Sequence, residues 1–236
     1  MYFDYYILGI VLIPALIFSA YAEIKVTSNF KKYSSKFSEK GIRACDLVRS
    51  ILDRAGLYNV GISQIDGNEL NNYYNHSTKT IGLSYSVYSS TSIAALGIAC
   101  HEVGHALQYA DGYAPIKLRN ALIPACNLVS TFLWPVIIVG LLLNFSDPNT
   151  PIGRFLMYAG IIFFGFSILI NLITLPAEYN ASHRAINMLD EFGVLGQNEL
   201  VGAKKVLSSA ALTYVAALFV SILNLLRFLL AFRRRD

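Results

Sequence analysis

Two imidazoles and a carboxylate fall within five residues, His101-Glu102-Val103-Gly104-His105. On an α-helix, residues four apart share a face, so His101 and His105 can close on a single ion. Glu102 lies beside them, able to act on a water held by that ion. This is the H-E-x-x-H pattern of zinc hydrolases. The chain has four histidines, and two of them stand at this spacing. The chemistry predicted is metal-assisted hydrolysis.

Two histidines leave the set incomplete, because a catalytic zinc takes three protein ligands and keeps a fourth position for water. The third ligand must come from elsewhere. His76, His183, Asp111, Asp147, Glu178, Asp190, Glu191 and Glu199 are the candidates. Glu178 stands out because it follows Pro176 at the end of a long apolar run. If that run and the one before it form a hairpin, Glu178 returns to the side that carries His101 and His105. Its competing role is a helix N-terminal carboxylate favoured by the macrodipole. Arg184, His183 and Tyr214 are candidate donors to an oxyanion, in that order.

The elements that must position these groups can be read in outline. Residues 92–110 read as a helix, with Ser90, Thr91 or Ser92 as its cap and Asp111-Gly112 as its end. Residues 38–55 read as an amphipathic helix, with Ile42, Cys45, Val48, Ile51, Leu52 and Ala55 at helical spacing. Ser38 caps its start and Gly56 ends it. Ile62 and Ile65 mark a short strand, and residues 66–77 are turn-rich. Thr78, Lys79, Thr80, Ile81, Gly82 and Leu83 form a second strand, the expected edge for an extended substrate.

The composition is that of a membrane protein. Of 236 residues, 55% are hydrophobic and 14% charged, with mean hydropathy +0.48. Apolar runs cover residues 5–22, 121–143, 155–175 and 207–231, each close to or beyond the roughly 20 residues that cross a bilayer. The first lacks a basic leader and a small-x-small cleavage site, and reads as a retained anchor. Pro14, Pro124 and Pro135 predict kinks or breaks. The net charge of +4 is gathered at run edges: Lys25, Lys31, Lys32, Lys36 and Lys40 after the first, Arg233, Arg234 and Arg235 at the end. That pattern fits anionic headgroups and gives no reason to expect nucleic acid. Cys45, Cys100 and Cys126 fit neither a disulfide framework nor a C-x-x-C metal site.

With HEVGH, an apolar hairpin and LPAEYNASHRA, the chain resembles the YugP-type bacterial membrane zinc metallopeptidases. The resemblance extends to the first anchor, TKTIGLS, HEVGHALQYADGYAPIKLRNALIPACN and AKKVLSSAALTYVAAL. The layout is also similar to HtpX-type and CAAX-prenyl-type membrane proteases, where the ligand glutamate opens an E-x-x-x-D pattern. Here the last position of that pattern is Ser182, so Ser182, Asn180 or a backbone carbonyl must orient a ligand histidine instead. Where an aspartate–histidine pair is expected before TKTIGLS, the chain has Asn72 and Tyr73. The resemblance implies one zinc per chain held by His101, His105 and Glu178, with Glu102 as general base.

The expected architecture is a mainly α integral membrane protein with about four transmembrane helices and a small α+β zincin-like (minimal gluzincin) lobe. Its parts are an anchor (1–24), the lobe (25–120), a transmembrane hairpin (121–175), a helix with the third ligand (176–206), and a C-terminal membrane helix with a basic tail (207–236). The expected activity is a zinc endopeptidase of the EC 3.4.24 type in the bacterial plasma membrane. Its partners are lipids and protein or peptide substrates, membrane proteins among them. Lys117, Arg119, Arg184, Lys204 and Lys205 put the site side in the cytoplasm, against the vote of the basic tail. Two other readings compete. A site-2-type intramembrane protease needs a longer apolar run before His101. A non-catalytic zinc scaffold has no need of Glu102.

Overall fold

The computed structural model describes residues 9–67, 69–147 and 150–233. Its helices are α1 (Ile13–Ser34), α2 (Ala44–Arg54), α3 (Tyr85–Tyr88), α4 (Ile93–Ala110), α5 (Ala114–Ser146), α6 (Pro151–Glu191) and α7 (Gln197–Arg233). Its strands are β1 (Gly61–Ile65), β2 (Tyr73–Asn75) and β3 (Thr80–Ser84). The chain divides into two compact units. One comprises Met1–Tyr21, Leu118–Leu175 and Thr213–Asp236; the other comprises Ala22–Lys117 and Pro176–Leu212.

The first unit holds the apolar runs. Among the described residues, three helices are long and apolar enough to cross a membrane: Ala114–Leu143, Pro151–Glu191 and Gln197–Leu230. The run at 5–22 lies partly outside the described residues, as do Arg234 and Arg235 of the tail. A two-residue turn precedes Ile13 and Pro14, where a break was expected. By contrast, α5 is helical without interruption through Pro124 and Pro135. Ile137, Met157, Phe164 and Phe228 form the unit's buried cluster. Gly140 and Gly160 permit close packing there: an added Cβ would lie 3.0 Å from Leu156 and 3.1 Å from Ile137 and Phe228. Asn171 donates to Ser221 Oγ (3.1 Å), tying α6 to α7 with a polar contact.

The second unit is built around α4. Its sequence is apolar almost all round, which demands burial on every side. Thirteen of its eighteen residues are buried, so neighbours must cover the whole cylinder. Small residues let them approach: Gly97 faces Ala203 of α7, and Gly104 faces the backbone of Ala181 on α6. Ser92 caps the helix by accepting from Ala95 N (3.2 Å), and Gly112 adopts φ +70 just past its end. α2 lays Ala44, Leu47, Val48, Ile51 and Leu52 into the same core. Full burial of a side chain such as Leu52 or Val48 contributes about 1.5–3 kcal/mol.

α2 is shorter than its periodicity suggests. The Ser38 hydroxyl donates to Val194 O (3.1 Å) rather than capping a helix, and Gly41 turns the chain at φ +60 before Arg43 opens α2. Gly56, at φ +74, ends it as expected. The sheet has the order β1-β3-β2, with β1 parallel and β2 antiparallel to β3. This corrects the expectation for residues 78–83. Thr78 and Lys79 lie in the turn between β2 and β3, where Asn75 Oδ1 accepts from Ser77 N and Thr78 N. Thr80, Ile81 and Gly82 lie in the middle strand, paired on both sides, so they have no free edge for a substrate, while Leu83 pairs with β1 alone. The outer strands are β1 and β2, and β2 lies in the stretch read as turns.

Candidate metal centre

Four buried polar side chains meet in the second unit: Glu102, His105 and Gln108 from α4, and Glu178 from α6. Burying such groups is costly unless they are paired, so their convergence marks a site. The one-face spacing of α4 brings the His101 and His105 rings to 4.7 Å between centroids, edge to face. Both direct Nε2 at one oxygen of Glu178: the distances to Oε2 are 3.3 Å from His101 and 3.6 Å from His105. One ligand atom from each residue lies within 4.8 Å of the others.

That geometry fits zinc. Donors about 2.0–2.2 Å from one ion and at tetrahedral angles lie roughly 3.3–3.5 Å apart. The His101 distance of 3.3 Å falls at that edge length and the His105 distance of 3.6 Å lies just beyond it, and the donor set is two imidazoles and a carboxylate. The remaining ring nitrogens are also engaged. His101 Nδ1 lies 3.1 Å from Ser182 Oγ, and His105 Nδ1 lies 3.0 Å from Gln108 Oε1. Ligand histidines in metal sites are held through the other nitrogen in this way. Ser182→Ala should therefore weaken zinc binding by about 10-fold, read by chelator competition.

Electrostatics separate the groups. Burial pushes the Glu102 carboxyl up; the His101 and His105 rings and the backbone N–H of Tyr74 oppose it in part. Burial works against a charged His105, yet its hydrogen bond to Glu178 and the Glu102 and Glu178 charges outweigh that and raise it. Burial pushes the Cys100 thiol well up, which makes it an inert core residue rather than a co-ligand.

The other named residues are placed as follows. Arg184 is committed to Asn180 Oδ1 (Nε, 2.9 Å) and Asp111 Oδ2 (Nη1, 2.5 Å). His183 is exposed, with Asn187 Nδ2 3.3 Å from its Nδ1. Tyr214 lies on α7 in the first unit. Of the alternative third ligands, His76 stacks on Tyr109 at 4.0 Å. Asp190 accepts from Gln197, and Glu199 accepts from the backbone of Glu39 and Gly196. Asn72, where an acid was expected, accepts from Ser84 N at 2.8 Å. Gln108 escaped the sequence reading. Its signal is a lone amide three residues after His105, on the histidine face of an apolar helix.

Comparison with known proteins agrees with this chemistry. The model of a family described as "Putative neutral zinc metallopeptidase" matches residues 8–233. A protein of Bacillus subtilis (strain 168) described as "Putative membrane protease YugP" is 40% identical over 220 residues, covering 93% of this chain and 94% of that protein. No solved structure matches the chain.

Proposed function

The chain belongs to the neutral zinc metallopeptidase family, and from that premise we propose that it is a membrane-embedded zinc endopeptidase of the EC 3.4.24 type. In this reading His101, His105 and Glu178 hold one zinc per chain, in a minimal zincin-like lobe. The observation that carries it is the meeting of two imidazoles and a carboxylate whose ligand atoms lie within 4.8 Å of one another, with the buried Glu102 on the helix of the two histidines. Bound there, zinc lowers the pKa of water toward neutrality and polarises a carbonyl. Glu102 accepts the proton as water adds to the peptide carbonyl, and returns it to the leaving amine. Burial raises its pKa, the direction that brings a carboxylate closer to the ambient pH.

The edge we assign to the substrate is β2 rather than β3. β2 is one of the two outer strands, and it is the one whose backbone N–H, at Tyr74, already reaches the Glu102 carboxylate. An extended chain laid along β2 would bring its peptide bonds beside the base. The working position we assign is at the bilayer surface on the cytoplasmic side of the plasma membrane. Glu178 follows directly on the apolar run that ends at Leu175, within one continuous helix. The helix of His101 and His105 is not among the candidate spans, which favours this over cleavage inside the bilayer. Proteins with segments emerging from the membrane are the substrate class.

The test is zinc per chain in the wild type and in Glu178→Ala. About one zinc is expected in the wild type, with affinity at least about 100-fold weaker in the variant. Wild-type affinity in the variant would remove Glu178 from the ligand set. A wild type that takes up no zinc would overturn the peptidase reading.

A further inference from the structure

The amide of Gln108 is fully buried, and all of its hydrogen bonds are made within the protein. Nε2 donates to Ala177 O (2.7 Å) and to Asn180 Oδ1 (3.0 Å), while Oε1 faces His105 Nδ1 (3.0 Å). Asn180 Oδ1 also accepts from Arg184 Nε at 2.9 Å, and Arg184 is held by Asp111. We propose that Gln108, Asn180 and Arg184 form a hydrogen-bond relay of fixed polarity that holds His105 as its Nδ1–H tautomer, which makes them positioning residues of the metal site. The proposal deepens the peptidase reading and rests on it in taking His105 as a ligand.

The direction of the relay follows from which groups can only donate. A guanidinium has no acceptor, so the Asn180 atom facing Arg184 Nε must be the carbonyl oxygen. That oxygen can only accept from Gln108, so the Gln108 atom facing it must be the NH2. The Ala177 carbonyl demands the same orientation independently. With its NH2 committed to two acceptors, Gln108 presents its oxygen to His105. Nδ1 must then carry the proton, which leaves the Nε2 lone pair on the side of Glu178.

The relay is specific to one of the two histidines. His101 Nδ1 faces the Ser182 hydroxyl, which can donate or accept and so imposes no tautomer. The relay also ties the two ligand-bearing helices together: Gln108 stands on α4, while Ala177, Asn180 and Arg184 stand on α6 around Glu178. It gives Arg184 a role other than oxyanion contact, since its Nε and Nη1 are spent on Asn180 and Asp111.

The experiment compares wild type, Gln108→Met, Asn180→Asp and Asn180→Leu in the full-length chain. Methionine keeps the volume of Gln108 without its hydrogen bonds, and aspartate keeps an acceptor toward both donors. Imidazole 15N NMR of the metal-free protein at alkaline pH reads the tautomer without any metal. The wild type should show His105 protonated at Nδ1, and Gln108→Met should show both forms. Zinc affinity, read by chelator competition, should fall about 10–100-fold in Gln108→Met and Asn180→Leu, and stay within about threefold in Asn180→Asp. Should Gln108→Met fail to fold, the two Asn180 variants decide alone. An Nε2–H wild-type ring, or variants that all bind zinc as the wild type does, would overturn the relay. A wild type that binds no zinc but shows Nδ1–H sinks the peptidase reading and leaves the relay standing.

Discussion

Glu102→Gln is expected to keep its zinc and lose its hydrolysis. The amide has nearly the shape of the carboxylate and can still accept from the Tyr74 N–H, but it cannot take a proton from water. General base catalysis by a positioned side chain contributes about 10²–10⁴-fold. In the proposed mechanism Glu102 also serves the leaving amine, so kcat/KM should fall by the upper part of that range. A drop of about 10³–10⁴ corresponds to roughly 4–6 kcal/mol of lost transition-state stabilisation. The three donors are untouched by the substitution, so zinc per chain should not change. Stability should not suffer either. Burial raises the Glu102 pKa in the folded chain, so the ionised form is the costly one there, and that cost grows as pH rises above the unfolded value. A neutral amide does not carry it, and the metal-free variant should melt no lower than the wild type at neutral pH. Hydrolysis that survives in Glu102→Gln would remove this residue from the mechanism. A wild type that binds zinc, cleaves no substrate and is unaffected by the substitution would favour the scaffold reading.

The helix of His101 and His105 was legible because its pattern and its capping residues agreed on one span. Ser92 and Gly112 bracket α4 as the capping residues predict. The apolar runs at 121–143, 155–175 and 207–231 were legible from hydropathy alone, and each lies inside a longer helix. The pleated elements were harder. β2 is three residues long in an asparagine-rich stretch, with no alternation to reveal it, and its pairing with β3 is a tertiary choice. Missing β2 is what made residues 78–83 look like an edge. Ser38 failed as a cap for a similar reason: its hydroxyl serves Val194, a partner 156 positions away. Gln108 and its partners are legible only once α4 and α6 are side by side. No local pattern marks an amide as the orienter of a histidine when its other contacts lie about 70 residues downstream.

Gly104→Ala should cost the site more than its one added carbon suggests. Helix propensity argues for the substitution, since alanine is favoured over glycine by about 1 kcal/mol in a helix interior. Packing argues against it. A Cβ at Gly104 would stand 2.7 Å from Ala181 O and 3.1 Å from Ala181 Cα, some 0.7 Å inside an ordinary contact with the oxygen. The obstacle is backbone, which cannot rotate away as a side chain can. Overpacking of this kind costs about 1–3 kcal/mol, so strain offsets or exceeds the gain in propensity. The relief open to the chain is to move α6 away from α4, and Ala181 lies between Glu178 and Ser182 on that helix. The carboxylate that completes the donor set and the hydroxyl beside His101 would move together. A displacement near 1 Å at a reacting centre costs about 10²-fold. Zinc affinity and kcat/KM should therefore each fall about 10²-fold in Gly104→Ala, with helical content kept. Gly104→Val adds bulk and loses the propensity gain, so it should abolish zinc binding. Circular dichroism, chelator competition and peptide hydrolysis on the same preparations would check this. Wild-type zinc affinity in Gly104→Ala would mean that α6 yields without moving Glu178, and that the close crossing is not what holds the third ligand in place.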